Sequence, residues 1–192
     1  KGDGFDYQCN DNFKFMKDGF KTILPVSDSI NLGIENLKMF FEKNPNQKLL
    51  ITGYATSDEK NTSAYPNLGF ARANDIKNYY VSKGFSASKF DTNGEIKDAW
   101  KMVADTIIGP ADYKFIVAKE TEKVDWNALK SKLNAAPLIL YFNTGQAEIN
   151  LTPEERQKVA DLVSYLDNVS GSKLNTIGHT DNAGNRNTNI KL

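Results

Sequence analysis

Cysteine is nearly missing from this chain. Its 192 residues include one cysteine, Cys9, and one histidine, His179. A single thiol excludes an internal disulfide and any cysteine-rich metal centre, and leaves Cys9 as a buried or bystander group. That poverty suits cytoplasm and periplasm equally. Neither sign of charge dominates, since Lys+Arg and Asp+Glu stand at 24 each. The basic surface that nucleic acid or anionic lipid would need is therefore absent. Long apolar runs are lacking too: nothing reaches the ~20 residues of a membrane-spanning helix. Lys1-Gly2-Asp3-Gly4 is no signal peptide, so the chain reads as a soluble piece whose export signal or anchor has been removed. One histidine and scattered carboxylates do not make a metal site, and Asp181-Asn182 lacks the spaced acids of an EF-hand loop. No cofactor is implied.

What is present is a pattern of strands and helices in alternation. Phe13-Lys14-Phe15 alternates as a short strand does. Ser27 is placed to cap a helix over residues 28–43, whose Ile30, Ile34, Leu37 and Phe41 recur at helical spacing before Asn44-Pro45-Asn46 stops it. Residues 49–53 follow as a buried strand, and this β-α-β unit predicts a parallel pair with a right-handed crossover. A second helix is expected over 65–83, with Leu68, Ala71, Ile76, Tyr79 and Tyr80 inward and Gly84 ending it. Residues 99–106 suggest a short third helix, and 113–118 a closing strand. Residues 120–132 are charged and helical around Trp126 and Leu129, and read as a connector.

Leu138-Ile139-Leu140-Tyr141-Phe142 is a strongly β-prone run. Thr152-Pro153-Glu154-Glu155 is a capping box with proline at the first helical position. The helix it starts should run to about residue 167 and bury Val159, Leu162, Val163 and Leu166. Residues 174–178 form its returning strand. Sliding one half over the other by 125 residues aligns Phe15 with Leu140, Ser27 with Thr152, Phe41 with Leu166 and Gly53 with Gly178. That register holds without a gap and marks a repeat. The second copy stops at Leu192, the counterpart of Leu68. Such a stub has too little sheet to cover its helix. It would be completed by further chain, by the first half, or by a symmetry partner through domain swapping.

The stretch around which both copies are organised is Gly178-His179-Thr180-Asp181-Asn182-Ala183-Gly184, continuing to Asn189-Ile190-Lys191-Leu192. With Tyr141-Phe142-Asn143 and Leu151-Thr152-Pro153-Glu154 before it, it resembles the OmpA-like (outer-membrane-protein A C-terminal) domain family. The first copy continues the pattern in Gly53-Tyr54-Ala55-Thr56, Leu68-Gly69-Phe70-Ala71-Arg72-Ala73 and Ser82-Lys83-Gly84-Phe85. The resemblance implies an α+β fold, a β-α-β-α-β two-layer sandwich with helices on a mixed sheet, followed by a truncated second copy (β-α-β). Residues 1–120 would be the first repeat, 121–136 the connector and 137–192 the N-terminal part of the second.

It also implies non-covalent binding of peptidoglycan through the diaminopimelate of the stem peptide, by an Asp in the turn and an Arg in the following helix. The chemistry suits a zwitterionic ligand end: a carboxylate accepts from its ammonium, and a guanidinium holds its carboxylate as a two-pronged fork that lysine cannot supply. Asp181 matches the family acid, with Thr180 and Asn189 as co-ligands, and its Arg would fall four positions past Leu192. Arg72 matches the family arginine in the first copy. There Thr56 stands at the acid position and Tyr65 at that of Asn189, and the loop is one residue longer. Asp58 or Glu59 is a substitute acid there; otherwise the first copy is a degenerate scaffold.

Bland readings stand beside these. His179 lies two residues from Asp181, but no Gly-x-Ser-x-Gly elbow accompanies them, which favours a packing histidine over catalysis. Asp181 at a turn-to-helix junction is also a natural cap. The expectation is a non-enzymatic periplasmic module, associated with the outer membrane only through an anchor outside the chain, that ties the envelope to the cell wall. The alternative is a protein-interaction scaffold of an envelope assembly, with other envelope proteins or a second copy as partner.

Overall fold

The computed structural model describes residues 4–100, 102–117, 124–142 and 150–179. They form a mixed α+β fold. The central sheet has the order β3-β2-β6. Its middle strand β2 (Gln47–Ala55) runs parallel to β3 (Phe90–Ile96) and antiparallel to β6 (Ala111–Val117). Helices α1 (Asp28–Lys43) and α2 (Leu68–Ser82) supply the second layer. Leu49 and Ile51, alternate residues of β2, are buried in one core with Ile34, Leu37, Phe41, Ala73, Ile76 and Tyr80. Aromatic pairs lock the layers together: the Phe40 and Phe115 rings are tilted with centroids 4.7 Å apart, and Tyr80 stacks on Phe90 at 5.1 Å. Such pairs contribute about 0.5–1.5 kcal/mol each beyond their buried area.

Local chemistry sets the helix ends. Ser27 accepts from the Ile30 amide and starts α1; Asn67 accepts from the Phe70 amide and starts α2. Gly84, at φ +94°, follows the C-cap of α2, a backbone that favours glycine.

Three expectations for the first half change. The parallel crossover joins β2 to β3 through α2, not the first strand to β2 through α1. Strand β1 (Lys14–Met16) instead pairs antiparallel with β5 (Thr106–Ile108) in a small second sheet of order β1-β5-β4. The short helix expected over 99–106 is absent: β4 (Met102–Val103) and β5 form a hairpin there. Val103, Thr106, Ile107 and Ile108 are β-branched, and pairing with β1 buries Ile107. Strand β3 follows α2 through a short 3₁₀ turn, Ala87–Lys89.

In the second half, α3 (Trp126–Ala135) packs on α4 (Pro153–Asn168), with Trp126 edge-on to Tyr165 at 6.3 Å. α1 and α4 lie 125 residues apart at both ends. The strands expected to flank α4 do not form: residues 138–142 and 174–178 have no ladder partner among the described residues. Tyr141 is 84 % exposed and Ile177 77 %. A strand is stable only with a neighbour to accept its backbone hydrogen bonds, and these two runs have none here. Val159, Leu162, Val163 and Leu166 are accordingly half-buried, and Ala160 is the buried residue of α4.

Candidate functional site

Glycines bring α2 down onto the sheet. A Cβ at Gly53 would collide with the Gly69 carbonyl and the Ala73 amide, and one at Gly94 with the Phe70 amide. With no side chains between them, the first turn of α2 sits against β2 and β3, and Arg72, one turn in, lies against the end of β2.

Arg72 is fully buried. Its guanidinium has five N–H groups and makes five hydrogen bonds. Nε donates to the Gly19 carbonyl at 2.9 Å, Nη1 to the Tyr54 carbonyl at 2.9 Å, and Nη2 to the Met16 carbonyl at 3.3 Å. The other two form a fork on Glu59, Nη1 to Oε2 at 3.0 Å and Nη2 to Oε1 at 2.5 Å. The Phe15 ring lies 5.5 Å from the guanidinium carbon. Glu59 accepts further from the Thr56 amide at 2.9 Å, the Thr56 hydroxyl at 3.2 Å and the Asp18 amide at 3.1 Å. Burial pushes the Glu59 carboxyl up, but the bonds from Arg72 and the Thr56 amide, the guanidinium charge and the Asp18 amide outweigh it. The carboxyl sits below its ordinary value.

Thr56 and Arg72, the two positions of the first half that the sequence pattern marks, are thus joined through a third residue, since both bind Glu59. Of the two substitute acids, Glu59 turns inward, and Asp58 stays at the surface, bonded to Lys17 at 2.7 Å. The sequence signal for Glu59 was the one-residue-longer loop carrying an extra acid. Thr180, Asp181 and Asn189 lie outside the described residues, and Gly178 and His179 just before them are exposed. Cys9 is half-buried and donates to the Ser29 hydroxyl. Tyr54 donates to Asp112 at 2.9 Å; burial and that carboxylate push its phenol up to about 12.

A second buried cation went unread in the sequence. Lys77 of α2 is 2 % exposed and donates to Asn74 Oδ1 at 2.9 Å and to Asp167 of α4. At the other end of α4, Arg156 donates to the carbonyls of Ser63 and Tyr65, in the loop that carries Glu59 towards α2. These contacts seat α4 on the first unit.

No family model matches the chain, and no curated protein matches it. Among solved structures the chain is similar to the peptidoglycan-associated lipoprotein from Burkholderia pseudomallei, at 15 % identity over 56 % of this chain and 91 % of that one, with a TM-score of 0.41. It is similar to the OmpA-like domain of FopA1 from Francisella tularensis, at 14 % identity over 54 % of this chain and 73 % of that one, TM-score 0.34. The C-terminal domain of Helicobacter pylori MotB gives 14 % identity over 64 % of this chain and 92 % of that one, TM-score 0.35. TM-scores this low transfer no function. Among the described residues, no helix is long and apolar enough to cross a membrane.

Proposed function

We propose that the chain is a non-enzymatic module of the cell envelope that holds peptidoglycan non-covalently, built from two tandem OmpA-like copies. The first, around Arg72 and Thr56, is a closed scaffold. The second contacts the diaminopimelate of the stem peptide through Asp181, with Thr180 and Asn189. This places the protein in the periplasm, tied to the outer membrane or to an envelope complex.

The observation that carries the reading is the Arg72–Glu59 fork. The arginine that the motif would aim at a ligand carboxylate already holds one, bidentately and fully desolvated. On this reading Glu59 stands in for a ligand's carboxylate. The position is thus suited to this chemistry, and in the first copy the protein supplies the anion itself. The wall-binding role then falls to the copy that carries Asp181 and has no such glutamate in the matching loop.

The test is co-sedimentation with diaminopimelate-type sacculi, comparing the protein with Asp181→Ala and adding free diaminopimelate as competitor. Wild type should pellet, and both the variant and the competitor should cut the bound fraction about tenfold, the effect of losing a charged hydrogen bond. No muropeptide should be released. A wild-type protein that stays in the supernatant overturns wall binding. The scaffold reading would then stand, which the spent guanidinium of Arg72 and the seating of α4 on the first unit favour.

A further inference from the structure

A cleft of about 460 Å³ opens between the start of α2, strand β3 and helix α4. That is the size of small-ligand sites, roughly 300–1,000 Å³. Phe70, Phe90 and Val163 give its lining an apolar part, and Asn93, Gln157 and Asn168 an amide part. Each amide is held in one orientation by a partner that can only accept. Asn93 Nδ2 donates to Glu95 Oε1 at 3.0 Å, Gln157 Nε2 to Asp161 Oδ1 at 2.9 Å, and Asn168 Nδ2 to the Ser164 carbonyl at 2.9 Å. Each amide keeps its carbonyl oxygen, which accepts, and its second N–H, which donates.

Asp91, Asp161 and Asp167 also line the cleft. Each already has a lysine: Lys48 at 2.5 Å, Lys132 at 3.3 Å, and the buried Lys77. The lining is therefore rich in acceptors but compensated in charge. A cationic ligand would have to displace lysines in place, and an anion would meet the carboxylates of Asp91, Asp161 and Asp167. A neutral molecule dense in hydroxyl donors, with one apolar face, satisfies both parts of the wall.

We propose that this cleft binds a neutral saccharide of one or two units, its hydroxyls donating to the amide oxygens of Asn93, Gln157 and Asn168 and a C–H face lying against Phe70. The site shares no residue with the Asp181 motif and does not depend on wall binding there.

Titration of the isotope-labelled protein, followed by amide NMR, tests it with four probes: the β-1,4-linked dimer of N-acetylglucosamine, maltose, L-lysine and inorganic phosphate. At least one disaccharide should give saturable shifts at Asn93, Gly94 and Gln157. Gln157→Ala and Asn168→Ala should each weaken it about fivefold, as for one lost hydrogen bond. Ser164→Trp, at an exposed position lining the cleft, should abolish it while leaving the melting temperature unchanged. No saturation by either disaccharide up to about 10 mM, ten times a ~1 mM Kd, overturns the proposal. So do saturation by lysine or phosphate in place of sugar, and shifts that the variants leave unaltered.

Discussion

Helices α1 and α4 have the same length and the same kind of start. The Ile30 amide donates to Ser27 Oγ at 3.4 Å, and the Glu155 amide to Thr152 Oγ1 at 3.2 Å. Their surroundings differ. α1 buries Ile30, Ile34, Leu37, Phe40 and Phe41, whereas α4 buries Ala160. The aligned strand residues differ in the same direction: Phe15 is fully buried and Leu140 is 38 % exposed. The first unit has a sheet for its helices to lie on, and the second, as described, has none. A cap and an apolar stripe are enough to make a helix, but burying it takes a partner surface that the helix does not carry.

The sharpest break in that comparison should come at the first unit's buried fork. Glu59→Ala leaves the Arg72 guanidinium buried without its counter-ion and should cost about 3–5 kcal/mol, read as a lower urea midpoint. The sign with pH follows from the depressed carboxyl: its contribution is present above the ordinary glutamate value of 4.5 and is lost as pH falls through the lower folded value. Wild type should therefore lose stability on acidification from about that ordinary value downwards, and Glu59→Gln should flatten the slope. A wild-type profile no steeper than that of Glu59→Gln would remove the fork as the source.

The glycines give the next contrast. Gly53→Ala drives a methyl into the main chain of α2 and should cost about 1–3 kcal/mol. Gly178, its aligned counterpart, has nothing among the described residues within 4 Å of the added carbon. Gly178→Ala should stay within about 0.5 kcal/mol in the same melt. Equal effects at the two positions would mean that the second half packs as the first does.

The smallest difference between the halves is expected where they agree. Thr152→Ala and Ser27→Ala each remove one cap and should cost about 1 kcal/mol. Hydrogen exchange should show the loss confined to the first turn of α4 in one case and of α1 in the other. A much larger cost for Thr152→Ala would tie the α4 start to the rest of the fold.

Much of the helical structure was legible because its signals are short-range. The span of α1, the Ser27 cap, the Gly84 stop and the capping box at Thr152 each depend on residues within a turn of one another. Strand partners were not legible. β1 has three residues and the right alternation, but nothing in them says that Ile107 rather than Ile51 lies alongside. The candidate site divided in the same way. Arg72 and Thr56 were marked by the motif, and Glu59 was one of two adjacent acids, with Asp58 beside it. Which acid turned inward was settled by the Asp18 and Thr56 amides and by the Arg72 guanidinium, all of which Glu59 meets. Lys77 was illegible. A lysine in an amphipathic helix reads as exposed, and its burial needs Asp167, 90 residues on.

Taken alone, the sequence determined α1 and α4 with their N-caps, the glycines that permit close contact, and the residues able to form a guanidinium–carboxylate fork. These depend on local hydrogen bonds, backbone sterics and side-chain chemistry, all of which travel with the residue. Tertiary structure decided which strands pair, which acid Arg72 holds, and that the runs at 138–142 and 174–178 have no ladder partner among the described residues. Each of those outcomes depends on a neighbour distant in the chain, because backbone groups and buried charges are stabilised only by a partner that the fold brings to them.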